Sequence, residues 1–305
     1  MTLQEQFTVE QKALNVGPAG IDIAYQRLGD PDAPPVLLIM GGAAQLIHWP
    51  IPFCQALMDR GLQVVRFDNR DAGHSTHIAG APAPDLPSVL SGNFASVSYT
   101  LSDMASDTVG LMDALGISTA HIVGASMGGQ IAQTMAIEHP GRIRSLTSMM
   151  STTGSTAVGQ TAPEVLREVF GGPQPVTREE TIQHRVNAML KVGSPGYPSD
   201  ENELRERCAQ AYDRDHDVVA LARQAIATVA SGDRTELLRG LQVPTLVIHG
   251  LADRMVDVSG GRATAEAIPG AELVLIEGMG HGLSPGLRMR LAEHIAEFVW
   301  RVEGR

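Results

Sequence analysis

The chain has 305 residues, of which 43% are hydrophobic, 19% charged and 4% aromatic; this suits one globular α/β domain with an insertion and excludes a disordered or fibrous chain. Acidic residues number 34 and basic residues 23, a net charge of −11, and no run of Lys or Arg marks a phosphate-binding surface, which argues against nucleic acid as a partner. Met1 to Asn15 is polar where a secretory signal needs an apolar core, and no stretch reaches the ~20 apolar residues of a membrane span, so no membrane association and a cytoplasmic location are expected.

In chain order, Phe7 to Leu14 and Ile21 to Arg27, separated by Gly17-Pro18-Ala19-Gly20, predict an antiparallel hairpin at a sheet edge. Short apolar runs then alternate with longer amphipathic segments, the pattern of strands joined by crossover helices. The predicted strands are Val36 to Met40, Gln63 to Phe67, His121 to Val123, Leu146 to Met150, Pro244 to Ile248 and Leu273 to Ile276. Their nearly continuous apolar character fits strands covered on both faces. Helices are predicted over Pro52 to Arg60, Thr100 to Leu115, Gly129 to His139, Gly260 to Ile268 and Pro285 to Val302. The Pro- and Ser-rich stretch Ala79 to Ser98 reads as a long loop. Between Ser151 and Gly240 the alternation stops, and helical segments follow one another: Ala162 to Phe170, Arg178 to Lys191, Glu201 to Tyr212 and Val218 to Ala230. Residues 1–150 and 241–305 therefore read as one core with a mostly parallel sheet flanked by helices, and 151–240 as a helical cap inserted into it. Cys54 and Cys208 lie far apart without the spacing of a zinc site or redox dithiol, so two buried free thiols are expected.

His121-Ile122-Val123-Gly124-Ala125-Ser126-Met127-Gly128-Gly129 joins an apolar strand to an amphipathic helix through a serine flanked by glycines. Small residues at 124 and 128 let neighbouring chain pass close to a sharply turned Ser126, placing its hydroxyl at the carboxyl edge of the sheet. A hydroxyl attacks a carbonyl at neutral pH only with a base in hydrogen-bond reach and an acid to orient that base. Of the ten histidines, His281 follows the last predicted strand, in Gly278-Met279-Gly280-His281-Gly282, and reaches the same edge. The acid is expected in the loop after Pro244 to Ile248, where Asp253 stands nearest the strand end and Asp257 is its local competitor. An oxyanion needs two donors: the Met127 N–H, and one from Gly41-Gly42-Ala43-Ala44, with Gly42 favoured over Ala43. Ala43, His48, Trp49 and the methionines at 127, 149 and 150 are candidates to line an apolar substrate pocket, core packing being the alternative for the methionines. No metal or organic cofactor is implied.

These motifs, with Phe67-Asp68-Asn69-Arg70-Asp71-Ala72-Gly73-His74-Ser75, resemble the α/β-hydrolase superfamily over nearly the whole chain. The resemblance implies a serine hydrolase, and Ser126 in place of an aspartate argues against haloalkane dehalogenase and epoxide hydrolase chemistry. Met40 stands where many relatives carry histidine, and Asp71 where glycine is usual. Both features resemble aclacinomycin methylesterase-like esterases, which implies a small-molecule ester or lactone, a bulky polyketide ester or macrolide among them. Carbon–carbon bond hydrolysis and cofactor-free perhydrolysis remain open at this level, as does a non-catalytic ligand receptor on the same scaffold.

Overall fold

The computed structural model describes residues 9–169, 171 and 175–305. Phe7 and Thr8 of the expected first strand, and Phe170 at the end of the first insertion helix, lie outside the described residues. Eight strands form one sheet: β1 (Gln11–Val16), β2 (Ile21–Leu28), β3 (Pro35–Ile39), β4 (Gln63–Phe67), β5 (Ala120–Ala125), β6 (Ile143–Met149), β7 (Thr245–Gly250) and β8 (Glu272–Ile276). Their order is β1-β2-β4-β3-β5-β6-β7-β8, with β1, β2 and β4 paired antiparallel and the rest parallel.

The strands are apolar at successive positions because each face has its own cover. Along β3, Leu37 and Ile39 join the cluster that holds Leu111, Ile131 and Met135, whereas Val36 and Leu38 join the one that holds Phe53, Leu57, Leu291 and Ile295. Helices α1 (Ile51–Met58), α2 (Leu86–Leu90), α3 (Leu101–Ala114) and α4 (Met127–Glu138) precede the insertion. That stretch between β6 and β7 holds α5 (Pro163–Val169), α6 (Arg178–Val192), α7 (Glu201–Arg214), α8 (Val218–Ala230) and α9 (Thr235–Leu238), and α10 (Ser259–Ala267) and α11 (Pro285–Val302) follow β7 and β8 respectively. Helices α1 and α11 pack together on one face of the sheet, and α3 packs beside α4 on the other.

Three expectations are corrected. The stretch Ala79 to Ser98 is not a plain loop: Asp85 accepts from the Ser88 N–H and starts α2, which packs against α8. Strand β8 is not covered on both faces, because it is the sheet edge and only Ile276 is buried. Helix α4 begins at Met127, directly after the serine, rather than at Gly129. Cys54 and Cys208 are buried and free, as expected. Among the described residues no helix is long and apolar enough to cross a membrane.

One buried strand residue makes stability depend on pH. His121 Nδ1 lies 2.7 Å from Ser145 Oγ and Nε2 lies 3.1 Å from Glu303. Burial lowers its pKa from 6.5 to about 4, with Glu303 opposing. The folded state thus favours the neutral ring; this contribution is complete above 6.5 and is lost as pH falls from there towards about 4. His121→Gln should narrow the difference in unfolding free energy between pH 7 and pH 5 by about 2 kcal/mol in urea titrations; an unchanged difference would assign the acid sensitivity elsewhere.

Candidate active site

The sheet changes direction between β3 and β5: the chain passes from β3 outward to β4, then returns to β5 on the other side. Such a switch point opens a crevice at the carboxyl ends of the strands. The loop after β3 carries Gly41 and Gly42, and Ser126 follows β5. Ser126 has φ 56° and ψ −123°, a conformation costly for any residue with a side chain. It is over-determined: the Ser126 N–H donates to Met149 O at 2.9 Å, and its carbonyl accepts from Ser151 Oγ at 2.8 Å and from the Gly129 N–H at 2.9 Å. The glycines are required by close approach, since a Cβ on Gly124 would sit 2.1 Å from Gly128 O and one on Gly128 would sit 2.0 Å from Ile39 O.

Asp253 and His281 meet at the same edge. His281 Nδ1 lies 2.8 Å from Asp253 Oδ2, while Asp253 Oδ1 accepts from the Met255 and Val256 N–H groups at 2.9 Å each. Burial by itself would raise the Asp253 carboxyl; the adjoining His281, with hydrogen bonds from His249, His281 and the Val256 N–H, outweighs it and holds the group well below the usual carboxylate range. The competitor Asp257 instead accepts from the Ser259 N–H at the start of α10. Insertion residues brace the histidine loop: the His281 N–H donates to Val192 O at 2.7 Å, and the Gly280 N–H to Ser194 Oγ at 2.9 Å.

Ser126 and His281 line one cavity of about 180 Å³, together with Gly41 and Gly42 from the β3 loop and Met189, Leu204 and Arg207 from the insertion. No hydrogen bond joins Ser126 Oγ to the His281 ring among the described residues; contacts of this kind often tighten only around substrate. A Cβ on Gly41 would lie 3.5 Å from Ser126 Oγ, so the backbone after β3 passes directly beside the hydroxyl. Gly42 packs on the Met127 side chain, and the Met127 N–H is among the first four donors of α4, which lack intrahelical acceptors. Ala43 is different. Its N–H is already donated to Gln224 Oε1 at 2.9 Å, which removes it as an oxyanion donor, and it does not line the cavity.

Trp49 is also corrected: it is fully buried, stacked on Phe53 at 5.3 Å, and absent from the cavity wall. Its size and apolar character carried no signal to separate core from pocket. His48 and Met150 do line the cavity, Met150 being also part of the core cluster that holds Met149, whereas Met127 and Met149 serve the core clusters and do not line it.

Sequence reasoning missed the residues of the insertion that hold the site. On α8, Gln224 bridges the Ala43 N–H and Arg70 O (2.8 Å), and Arg223 forms a two-pronged ion pair with Asp71 at 2.8 and 2.9 Å. Asp71 has φ 59°, which accounts for glycine being usual there; here an aspartate takes the strained position and receives a cation. The departure at position 71 was the visible half of this pair, but nothing in the helical pattern of α8 pointed to its partner.

A hydroxyl on a strained turn and a carboxylate-bound imidazole at one cavity, with a glycine-rich backbone beside the hydroxyl, form an arrangement capable of nucleophilic acyl transfer. Residues 34–284 match the profile of the alpha/beta hydrolase fold family, and the chain belongs to that family. It is 29% identical over 292 residues to rhodomycin D methylesterase from Streptomyces sp. strain C5, with 88% of this chain and 92% of that protein covered. It is 28% identical over 213 residues to 2-hydroxymuconate semialdehyde hydrolase from Pseudomonas putida, covering 66% and 69%. In fold it is similar to a meta-cleavage product hydrolase from Pseudomonas fluorescens, with a TM-score of 0.74, 22% identity and coverage of 97% and 99%.

Proposed function

We propose that this protein is a serine hydrolase that cleaves carboxylic esters through an acyl-enzyme, acting on methyl esters of bulky acids. The observation that carries the reading is the strained Ser126 sharing a cavity with an Asp253-bound His281. Ser126 Oγ attacks the ester carbonyl and His281 Nε2 takes its proton. Asp253 holds the ring with Nδ1 protonated and balances the imidazolium. The N–H groups of Met127 and Gly42 receive the oxyanion, each such donor being worth roughly 3 to 4 kcal/mol in the transition state. His281 returns the proton to the departing alcohol, then activates the water that releases the acid.

The likeness to rhodomycin D methylesterase supports the methyl ester as the bond cleaved, and a lactone presents the same carbonyl chemistry. Residues 151–240 serve as a cap over a core of 1–150 and 241–305, supplying the wall that faces the acyl group. The test is a panel of polyketide methyl esters, simple methyl and p-nitrophenyl esters, and lactones, with covalent labelling of Ser126 by a fluorophosphonate. Turnover of esters together with labelling is expected; labelling without turnover of any of them rejects ester hydrolysis. Carbon–carbon hydrolysis is the second reading, favoured by the likeness to 2-hydroxymuconate semialdehyde hydrolase, and turnover of a dienoic diketone with esters inert would establish it. Absence of both labelling and turnover would point to a ligand receptor.

A further inference from the structure

The protein carries a net charge of −11, yet no Asp or Glu lines the cavity among the described residues, and the one permanently charged group in its wall is Arg207. Arg207 is poorly neutralised. It pairs with Glu203 at 3.2 Å through a single guanidinium nitrogen, and the same Glu203 oxygen is also taken by Arg288. Two cations thus share one carboxylate. Burial depresses the Arg207 pKa, Glu203 opposes this and Arg288 adds to it, as expected of a cation short of counter-charge. The Arg207 side chain is only 15% exposed, so bulk water offers little compensation.

His48 stands in the same wall. Its Nδ1 lies 3.0 Å from Gln45 N and 3.2 Å from Gln45 O, so Gln45 engages that nitrogen, and Nε2 makes no hydrogen bond among the described residues. Burial first, and then the charge of Arg207, push its pKa down to about 3, so the ring is neutral at working pH, and in the tautomer that accepts the Gln45 N–H it carries its proton on Nε2. The same wall includes the apolar Met189, Leu204 and Leu283 and the uncharged Ser194, Ser199 and Ser284.

From this we propose that Arg207, assisted by His48, forms a subsite for a second, anionic group on the acyl part of the substrate, so that the preferred substrates are esters of acids carrying another ionised carboxyl. The assignment to the acyl part rests on the ester-hydrolase reading above: when the leaving alcohol is methanol, nearly all of the substrate in the cavity is acyl group. A buried guanidinium gains most from a carboxylate, to which it can donate two parallel hydrogen bonds.

The experiment compares monomethyl glutarate and monomethyl adipate with methyl pentanoate and methyl hexanoate, esters of equal chain length that lack the second carboxylate. For the unaltered protein, kcat/KM should favour the charged members by about ten-fold or more. Arg207→Gln should cost the charged esters about ten-fold more than the uncharged ones, and Arg207→Lys should retain part of the preference. Equal losses on both kinds of ester, or no preference in the unaltered protein, would overturn the subsite. Calorimetric binding of monomethyl adipate to Ser126→Ala, with and without Arg207→Gln, gives a readout that needs no turnover. Arg207-dependent binding with no hydrolysis of any ester by the unaltered protein would keep the subsite and reject the hydrolase reading. Hydrolysis without charge dependence would do the reverse.

Discussion

Ser126→Ala should lower kcat by about five to six orders of magnitude, the loss seen when the nucleophile of a serine triad is removed, while the fold survives. The hydroxyl supports no neighbour among the described hydrogen bonds; the turn is held by the backbone of residue 126. A companion substitution separates chemistry from strain. At φ 56° a side chain is costly, so Ser126→Gly should be as inactive as the alanine variant yet more stable, by about 1 kcal/mol once the extra freedom of glycine in the unfolded chain is subtracted. Activity in a pH-stat with an ester from the panel, and urea midpoints for the three proteins, provide the check. Undiminished turnover in Ser126→Ala would sink the nucleophile assignment, and a glycine variant less stable than the alanine variant would show that the turn is not strained.

Asp253→Asn should cost about three to four orders of magnitude in kcat, through the tautomer of His281 rather than through structure. Asparagine keeps an oxygen for the Met255 and Val256 N–H groups, so the loop remains capped. In place of Oδ2, however, it offers an N–H₂ to His281 Nδ1, now 2.8 Å from a carboxylate oxygen. The ring must then accept at Nδ1 and carry its proton on Nε2, the atom that should take the proton from Ser126. The depressed pKa of Asp253 adds a stability effect with a definite sign. Its contribution is complete above the ordinary value of 3.8 and is lost as pH falls below it, so Asp253→Asn should flatten the acid side of the stability profile. A loss in kcat below ten-fold, measured under saturating substrate, would give the orienting role to Asp257 or to another group.

Much of the core was legible because its signals are local. The strand-turn-helix at 120–138 needs glycine at 124 and 128 for reasons of contact, and those contacts recur wherever this turn is built. Asp253 and His281 were reachable because loops leaving parallel strands gather at one edge. Gly42 was favoured over Ala43 for its bare backbone alone; what occupies the Ala43 N–H was not legible, since it is a glutamine 181 residues away in sequence. Likewise Arg207 is one of three arginines in α7, all at positions compatible with a solvated helix; only the packing of α7 over the core distinguishes it from Arg205 and Arg214. Trp49 shows the opposite failure, a large apolar side chain beside the site that serves the core alone.

The pairing of Arg223 with Asp71 and of Gln224 with Ala43 bears on how such an enzyme can be altered. Exchange of the inserted helices between relatives is an obvious way to transplant specificity, and it presumes that the core arrives complete. Here Gln224 of α8 fastens the 41–44 segment beside Ser126 and its neighbour Arg223 fastens Asp71, so a chimaera built with a foreign insertion would receive a new binding wall together with a loosened 41–44 segment and an unpaired Asp71. Carrying Arg223 and Gln224 into the graft, or replacing Asp71 by glycine to suit an insertion that lacks the arginine, separates the two effects and makes the insertion a portable part.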